Sequence, residues 1–159
     1  MHRLTPLGVG LIITATLLLM IGCRDGGDSA VTPPATLVFL RDNDLWVAPL
    51  DGSSEPRAIT SGSVRTSFAG YALRPDGGID LYYLSQLEGS AQLGEEVELV
   101  VYRVALEGGE PEELFRFPTD NARLSGAGVA PDGLRIVYAD VDALILRDLV
   151  SGQETVLAR

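Results

Sequence analysis

The side chains able to do chemistry are few and unevenly chosen. The chain has one cysteine, Cys23, one histidine, His2, and no lysine, because all 12 basic residues are Arg. Imidazole carries most acid–base catalysis near neutral pH and is the commonest transition-metal ligand, and beyond His2 there is none to use. A Ser-His-Asp triad, a Cys-His dyad, a Schiff-base lysine and a His or Cys zinc site cannot be assembled from these residues. Carboxylate chemistry and oxygen coordination of Ca²⁺ remain. The oxygen-rich candidates are Asp42, Asn43 and Asp44 in one hairpin and Asp140 and Asp142 in a matching one. Neither group has the spacing of a calcium-binding loop, and Asp is already favoured in turns, so turn chemistry is the expected role. No metal, no cofactor, no glycine-rich phosphate loop and no catalytic residue is expected.

Charge narrows the partners. The first 22 residues hold no acid, so the remainder carries all 22 Asp and Glu against 11 Arg, a formal charge of −11. That surface repels phosphate backbones, and no basic run with interleaved aromatics offsets it, so no nucleic-acid partner is expected. A composition 46% hydrophobic and 21% charged is enough for a packed core.

The thiol of Cys23 sits at the end of a distinctive segment. Met1-His2-Arg3 precedes an apolar run from Leu7 to Ile21, followed by Gly22-Cys23. A spanning helix needs about 20 apolar residues, and this run is shorter, as the hydrophobic region of a signal peptide is. Leu19-Met20-Ile21-Gly22-Cys23 resembles the bacterial lipobox, with Met20 in place of the preferred Leu. The resemblance implies removal of residues 1–22 by cleavage between Gly22 and Cys23, diacylglyceryl transfer to the Cys23 sulfur, and acylation, commonly by palmitate, of the new amino group. Anchoring through two or three acyl chains is stable where one is marginal, because each buried methylene contributes about 0.8 kcal/mol. The location implied is the cell membrane or outer membrane, facing the periplasm or exterior. An uncleaved signal anchor is the alternative. Residues 23–34, rich in Gly, Asp and Pro, read as a flexible tether.

From Ala35 to Arg159 the pattern changes to short runs of Val, Leu, Ile and aromatics separated by Gly, Asp and Pro turns, which predicts an all-β domain. Three units superpose by their turns. The first has strands at 36–40, 45–50 and 57–60. The second has strands at 68–73, 80–84, 98–106 and 113–117, with a polar insert near 86–96. The third has strands at 126–130, 135–138, 143–149 and 155–158. Leu50, Leu106 and Leu149 occupy matching places. Four short strands per unit, apolar on both faces, is the pattern of propeller blades.

RPDG at 74–77 and APDG at 130–133 resemble the SPDG turn of TolB-type, WD-like propeller repeats, and LWVAPLDGSSEPRAIT (45–60) and VYRVALEGGEPEELF (101–115) resemble that family's next two strands. The resemblance covers about residues 35–159 and implies a partial β-propeller of about three four-stranded blades, the first lacking its inner strand. Known propellers use about 4 to 8 blades. The shortfall leads to two expectations, a truncated gene product or a homodimer of two three-blade chains completing one ring. The implied function is a non-catalytic module binding envelope proteins, peptides or glycans. The alternative is the propeller portion of a truncated prolyl-oligopeptidase-like hydrolase, whose mark would be a downstream Gly-x-Ser-x-Gly. Asp76 and Asp132 are expected to serve their turns. Trp46, Tyr102 and Ile145 align within the third strand; they and Tyr82 and Tyr83 are expected to pack between blades. Glu107, Glu110, Glu112 and Glu113 are expected to form a solvated turn, with a partner-facing rim as the alternative.

Overall fold

In the computed structural model the described residues are 35–62, 66–86, 96–120 and 126–159. Every regular element among them is a strand. They are β1 (Thr36–Arg41), β2 (Asp44–Pro49), β3 (Arg57–Ala58), β4 (Thr66–Leu73), β5 (Ile79–Gln86), β6 (Glu96–Ala105), β7 (Glu112–Asp120), β8 (Gly128–Val129), β9 (Arg135–Ala139), β10 (Leu144–Asp148) and β11 (Glu154–Ala158). They form three antiparallel meanders, β1-β2-β3, β4-β5-β6-β7 and β8-β9-β10-β11. The signal segment, Gly22, Cys23 and the tether lie outside the described residues.

The turns that set this register are made by the residues the sequence singles out. Asp76 Oδ1 accepts the Gly78 N–H at 2.9 Å and Asp132 Oδ1 accepts the Leu134 N–H at 3.0 Å. Gly77 and Gly133 take φ of 87° and 68°, a region that favours glycine. Asp42 and Asn43, at φ of 53° and 67°, form the two-residue left-handed loop of the β1–β2 hairpin. Beyond each of the three matching leucines the same closure recurs: Leu50 N donates to Ala35 O, Leu106 N to Ile79 O and Leu149 N to Leu134 O, each at 2.8 Å. A register shift also falls at equivalent places, between Val101 and Tyr102 in the second sheet and between Leu144 and Ile145 in the third. The repeat is therefore structural as well as textual.

Stacking of the sheets follows from alternation along the strands. On β5, Leu81 and Tyr83 enter one core with Val38, Leu45, Val47, Ile59, Ile79 and Val104, which joins the first sheet to the second. Tyr82 and Leu84, between them in sequence, enter another core with Leu99, Val101, Phe115, Phe117, Ile136, Tyr138 and Ile145, which joins the second sheet to the third. The middle sheet is thus sealed on both faces.

Some strands differ from expectation. β3 stops at Ala58 because a side chain replaces the next ladder bond: Thr60 Oγ1 accepts the Leu45 N–H at 2.9 Å and donates to Asp44 Oδ1 at 3.0 Å. β8 is two residues rather than five. The strands of the second sheet run longer than expected, with Gln86 opposite Leu99 and Glu96 opposite Asp120, so the ends of the polar insert continue the ladder.

Candidate functional site

The charged residues collect where turns and strands of the second sheet meet. β6 and β7 place Arg103 directly opposite Glu112, and Arg103 Nε and a terminal nitrogen bond Glu112 Oε2 at 3.1 and 2.5 Å. The Glu112 carboxylate, with the Tyr82 hydroxyl adding to it, raises the Arg103 pKa against the opposing effect of burial. Arg74, at the start of the PDG turn, spans Asp76, Asp80 and Glu107, each at 3.3 Å. Its guanidinium lies over Gly78, where a β-carbon would stand 1.9 Å from it, so the second glycine of PDGG makes room for the arginine. Together Arg74, Asp80, Arg103, Glu110 and Glu112 line a cleft of about 320 Å³. Its walls present charge that is paired in two places, Arg74 with Asp80 and Arg103 with Glu112. Such a cleft can recognise a polar group bearing both signs.

A second cleft of about 180 Å³ lies between the first two sheets, lined by Thr36, Pro49, Glu55, Arg57, Leu106 and Glu107 among others. An Arg57 guanidinium nitrogen donates to the Leu106 carbonyl there, tying the first sheet to the turn after β6.

The acidic stretch after β6 is divided by its partners. Glu107 pairs with Arg74, Glu112 with Arg103 and Glu113 with Arg116, leaving the stretch largely compensated. Arg116 holds Glu113 below the ordinary carboxylate value. Of the oxygen-rich hairpins, the second is an Asp-capped turn in which Asp140 Oδ1 accepts the Asp142 and Ala143 N–H groups at 2.9 and 2.7 Å. Among the described residues no group of three or more acidic, His or Cys side chains is arranged to hold a metal ion. Trp46, Tyr102 and Ile145 do occupy one position in three sheets. Ile145 is buried in the core between the second and third sheets, Tyr102 is half-buried and stacks on Tyr83 at 5.3 Å, and Trp46 is half-buried with the Arg41 guanidinium 5.0 Å from its ring centre.

One network has no signal in the linear pattern. Tyr138 donates to Glu154 Oε1 at 2.8 Å, Arg147 bonds the same oxygen at 2.5 Å, and the Arg147 guanidinium lies 4.4 Å over the Phe115 ring. Tyr138 also packs on Phe117 at 4.3 Å. The polar contacts tie β9, β10 and β11 together within the third sheet, and the rings of Phe115 and Phe117 join that network to the second.

No protein-family model matches the chain. In an alignment of 124 residues that covers 73% of this chain, it is 30% identical to the dipeptidyl aminopeptidase BIII of Pseudoxanthomonas mexicana. The chain spans about 16% of the length of that curated relative, so the likeness is to a part of a much larger protein.

Proposed function

We propose that the chain is a lipid-anchored, extracytoplasmic module of β-propeller blades, tethered through acyl chains on Cys23, that binds an envelope protein, peptide or glycan without catalysing a reaction. The observation that carries the reading is the middle sheet, apolar on both faces and joined to a neighbour on each side by equivalent side chains, as blade-to-blade packing requires. The lipobox-like Leu19–Cys23 segment supports the anchor. The paired arginines and carboxylates of the cleft support a binding role. Cleft, turns and anchor then have separate tasks: acyl chains hold the module at the membrane, the tether frees it from the headgroups, and the turn surface meets the partner.

A second reading is favoured by the likeness to part of a dipeptidyl aminopeptidase, namely that these blades are the non-catalytic portion of such a peptidase. Both readings put binding in the blades; they differ in whether a catalytic domain accompanies them.

Expression of the full chain with labelled palmitate tests the anchor. Label in the membrane fraction, absent from a Cys23→Ala variant, is expected; an unlabelled protein contradicts it. Assay of the same preparation for release of dipeptides from peptide amino termini tests the non-catalytic role. No turnover is expected, and turnover that copurifies with the chain overturns it.

A further inference from the structure

The two clefts are successive members of one series. Each opens at the end of the sheets where the turns after β2, β4, β6, β8 and β10 lie. Contacts between turns hold that end together: Leu73 N in the second sheet donates to Pro131 O in the third at 3.4 Å, and Arg57 in the first donates to Leu106 O in the second. The cleft of about 180 Å³ lies between the first sheet and the second. The cleft of about 320 Å³ is built on the opposite face of the second sheet, where Asp80, Arg103 and Glu112 share a side with Tyr82. The Leu106–Glu107 turn separates them. Glu107 lines the smaller cleft while its carboxylate bonds Arg74 of the larger.

The charge in these clefts does not cancel. Five carboxylates and three guanidiniums line the two together. Arg103 is held by Glu112, Arg57 reaches a carbonyl oxygen, and Arg74 serves Asp76, Asp80 and Glu107 at once. Glu55 in the smaller cleft and Glu110 in the larger are exposed and pair with no described residue. Leu50, next to Pro49 of the smaller cleft, and Leu73, next to Arg74 of the larger, are 49% and 54% exposed. A basic side chain suits such a place along its whole length, its stem lying on aliphatic surface and its head meeting a carboxylate. Packed sheets stand about 10 Å apart, so equivalent points of the two clefts do as well. An extended or polyproline II chain advances about 3.1 to 3.6 Å per residue, which sets side chains three positions apart at that spacing.

We propose that this end of the sheets docks an extended peptide segment with two basic residues three positions apart, one in the Glu55 cleft and the other in the Glu110 cleft. The surplus of carboxylates selects a cation and repels phosphate, and two seats about 10 Å apart select a chain over a single ion. The proposal names the partner for the binding role given above and rests on that role, not on the anchor.

Fluorescence anisotropy of the full chain in detergent tests it, with short proline-rich peptides blocked at both termini so that only side chains carry charge. One probe has two Arg three positions apart, one has two adjacent Arg, and one has two Glu three positions apart. The first is expected to bind about two- to fivefold more tightly than the second, which fills one cleft at a time, and more weakly as salt rises. Glu55→Gln and Glu110→Gln should each lower its affinity about two- to fivefold and together by about the product, with an unchanged β spectrum in circular dichroism. Equal binding of the two Arg probes, tighter binding of the Glu probe, binding of none, or indifference to both substitutions overturns the proposal. Binding of the Glu probe alone would spare the broader binding role while removing this partner. Mass spectrometry of the recovered probe separates the two readings: a cut peptide whose binding keeps the charge and spacing dependence would overturn the non-catalytic role and leave the docking intact.

Discussion

Single residues in this chain are constrained mainly by turns and by close approach. A β-carbon on Gly133 would stand 2.8 Å from the Tyr82 hydroxyl and 2.9 Å from the Ala72 β-carbon, and φ there is 68°. Gly133→Ala is therefore expected to destabilise the fold by about 2–4 kcal/mol, adding left-handed strain to overpacking, as a denaturant midpoint would register. Thr60→Val keeps the shape but strips the Leu45 N–H of its acceptor. A loss of about 1–3 kcal/mol is expected from the same measurement. Titration follows from burial. Tyr83 is raised from its ordinary 10.0 by burial, then by Tyr102 and Asp44, and Tyr138 by burial, then by Glu154. A folded value above the unfolded one means the native state holds the proton more tightly, so stability is whole below about pH 10 and lost above it. Asp76 and Asp148 are lowered from 3.8, first by the Gly78 and Ser151 backbone N–H groups, and their contribution is lost as pH falls below about 4. Unfolding midpoints across pH should be level between about 5 and 9, with the alkaline decline the steeper because its groups are buried. The turn residues were legible in the sequence because Asp and Gly act on backbone two residues away. The Tyr138–Glu154–Arg147 contact and the place of Gly78 beneath Arg74 were not, since side chains meet there only after strands pair.

At the scale of elements, alternating apolar residues were enough to locate strands, and the recurrence of Leu50, Leu106 and Leu149 to align them. What alternation left open was which faces are covered. Leu84 in β5 is 1% exposed and Leu81 is 0% exposed, on opposite faces of one strand. Leu81→Ala and Leu84→Ala are each expected to cost about 2–5 kcal/mol. Leu144→Ala, at a position equivalent to buried Val101 but on the end face, should cost under about 1 kcal/mol in the isolated chain. Chemical denaturation of the three variants checks this ordering. Strand lengths were the weaker part of the sequence reading. β3 is cut short by the Thr60 side chain, and β6 and β7 extend beyond their apolar runs because paired backbone needs no apolar side chain.

At the scale of the whole molecule, the composition leaves imidazole chemistry to His2 alone and lysine chemistry to no residue of this sequence. With no imidazole beyond His2 and no lysine, the described residues offer paired charge and apolar faces, which suit binding and stacking. The paired-charge cleft has no signal in the linear sequence, because its arginines and acids come from two turns and three strands separated in the chain. The account turns on the second sheet being an interior layer held from both sides. Native-state hydrogen exchange tests this most directly. Amides of β5 and of the central part of β6 are expected to exchange only through global unfolding, slower than those of β3 and β11 by a factor that grows with stability. Exchange of β5 as fast as that of β11 would contradict the stacked arrangement.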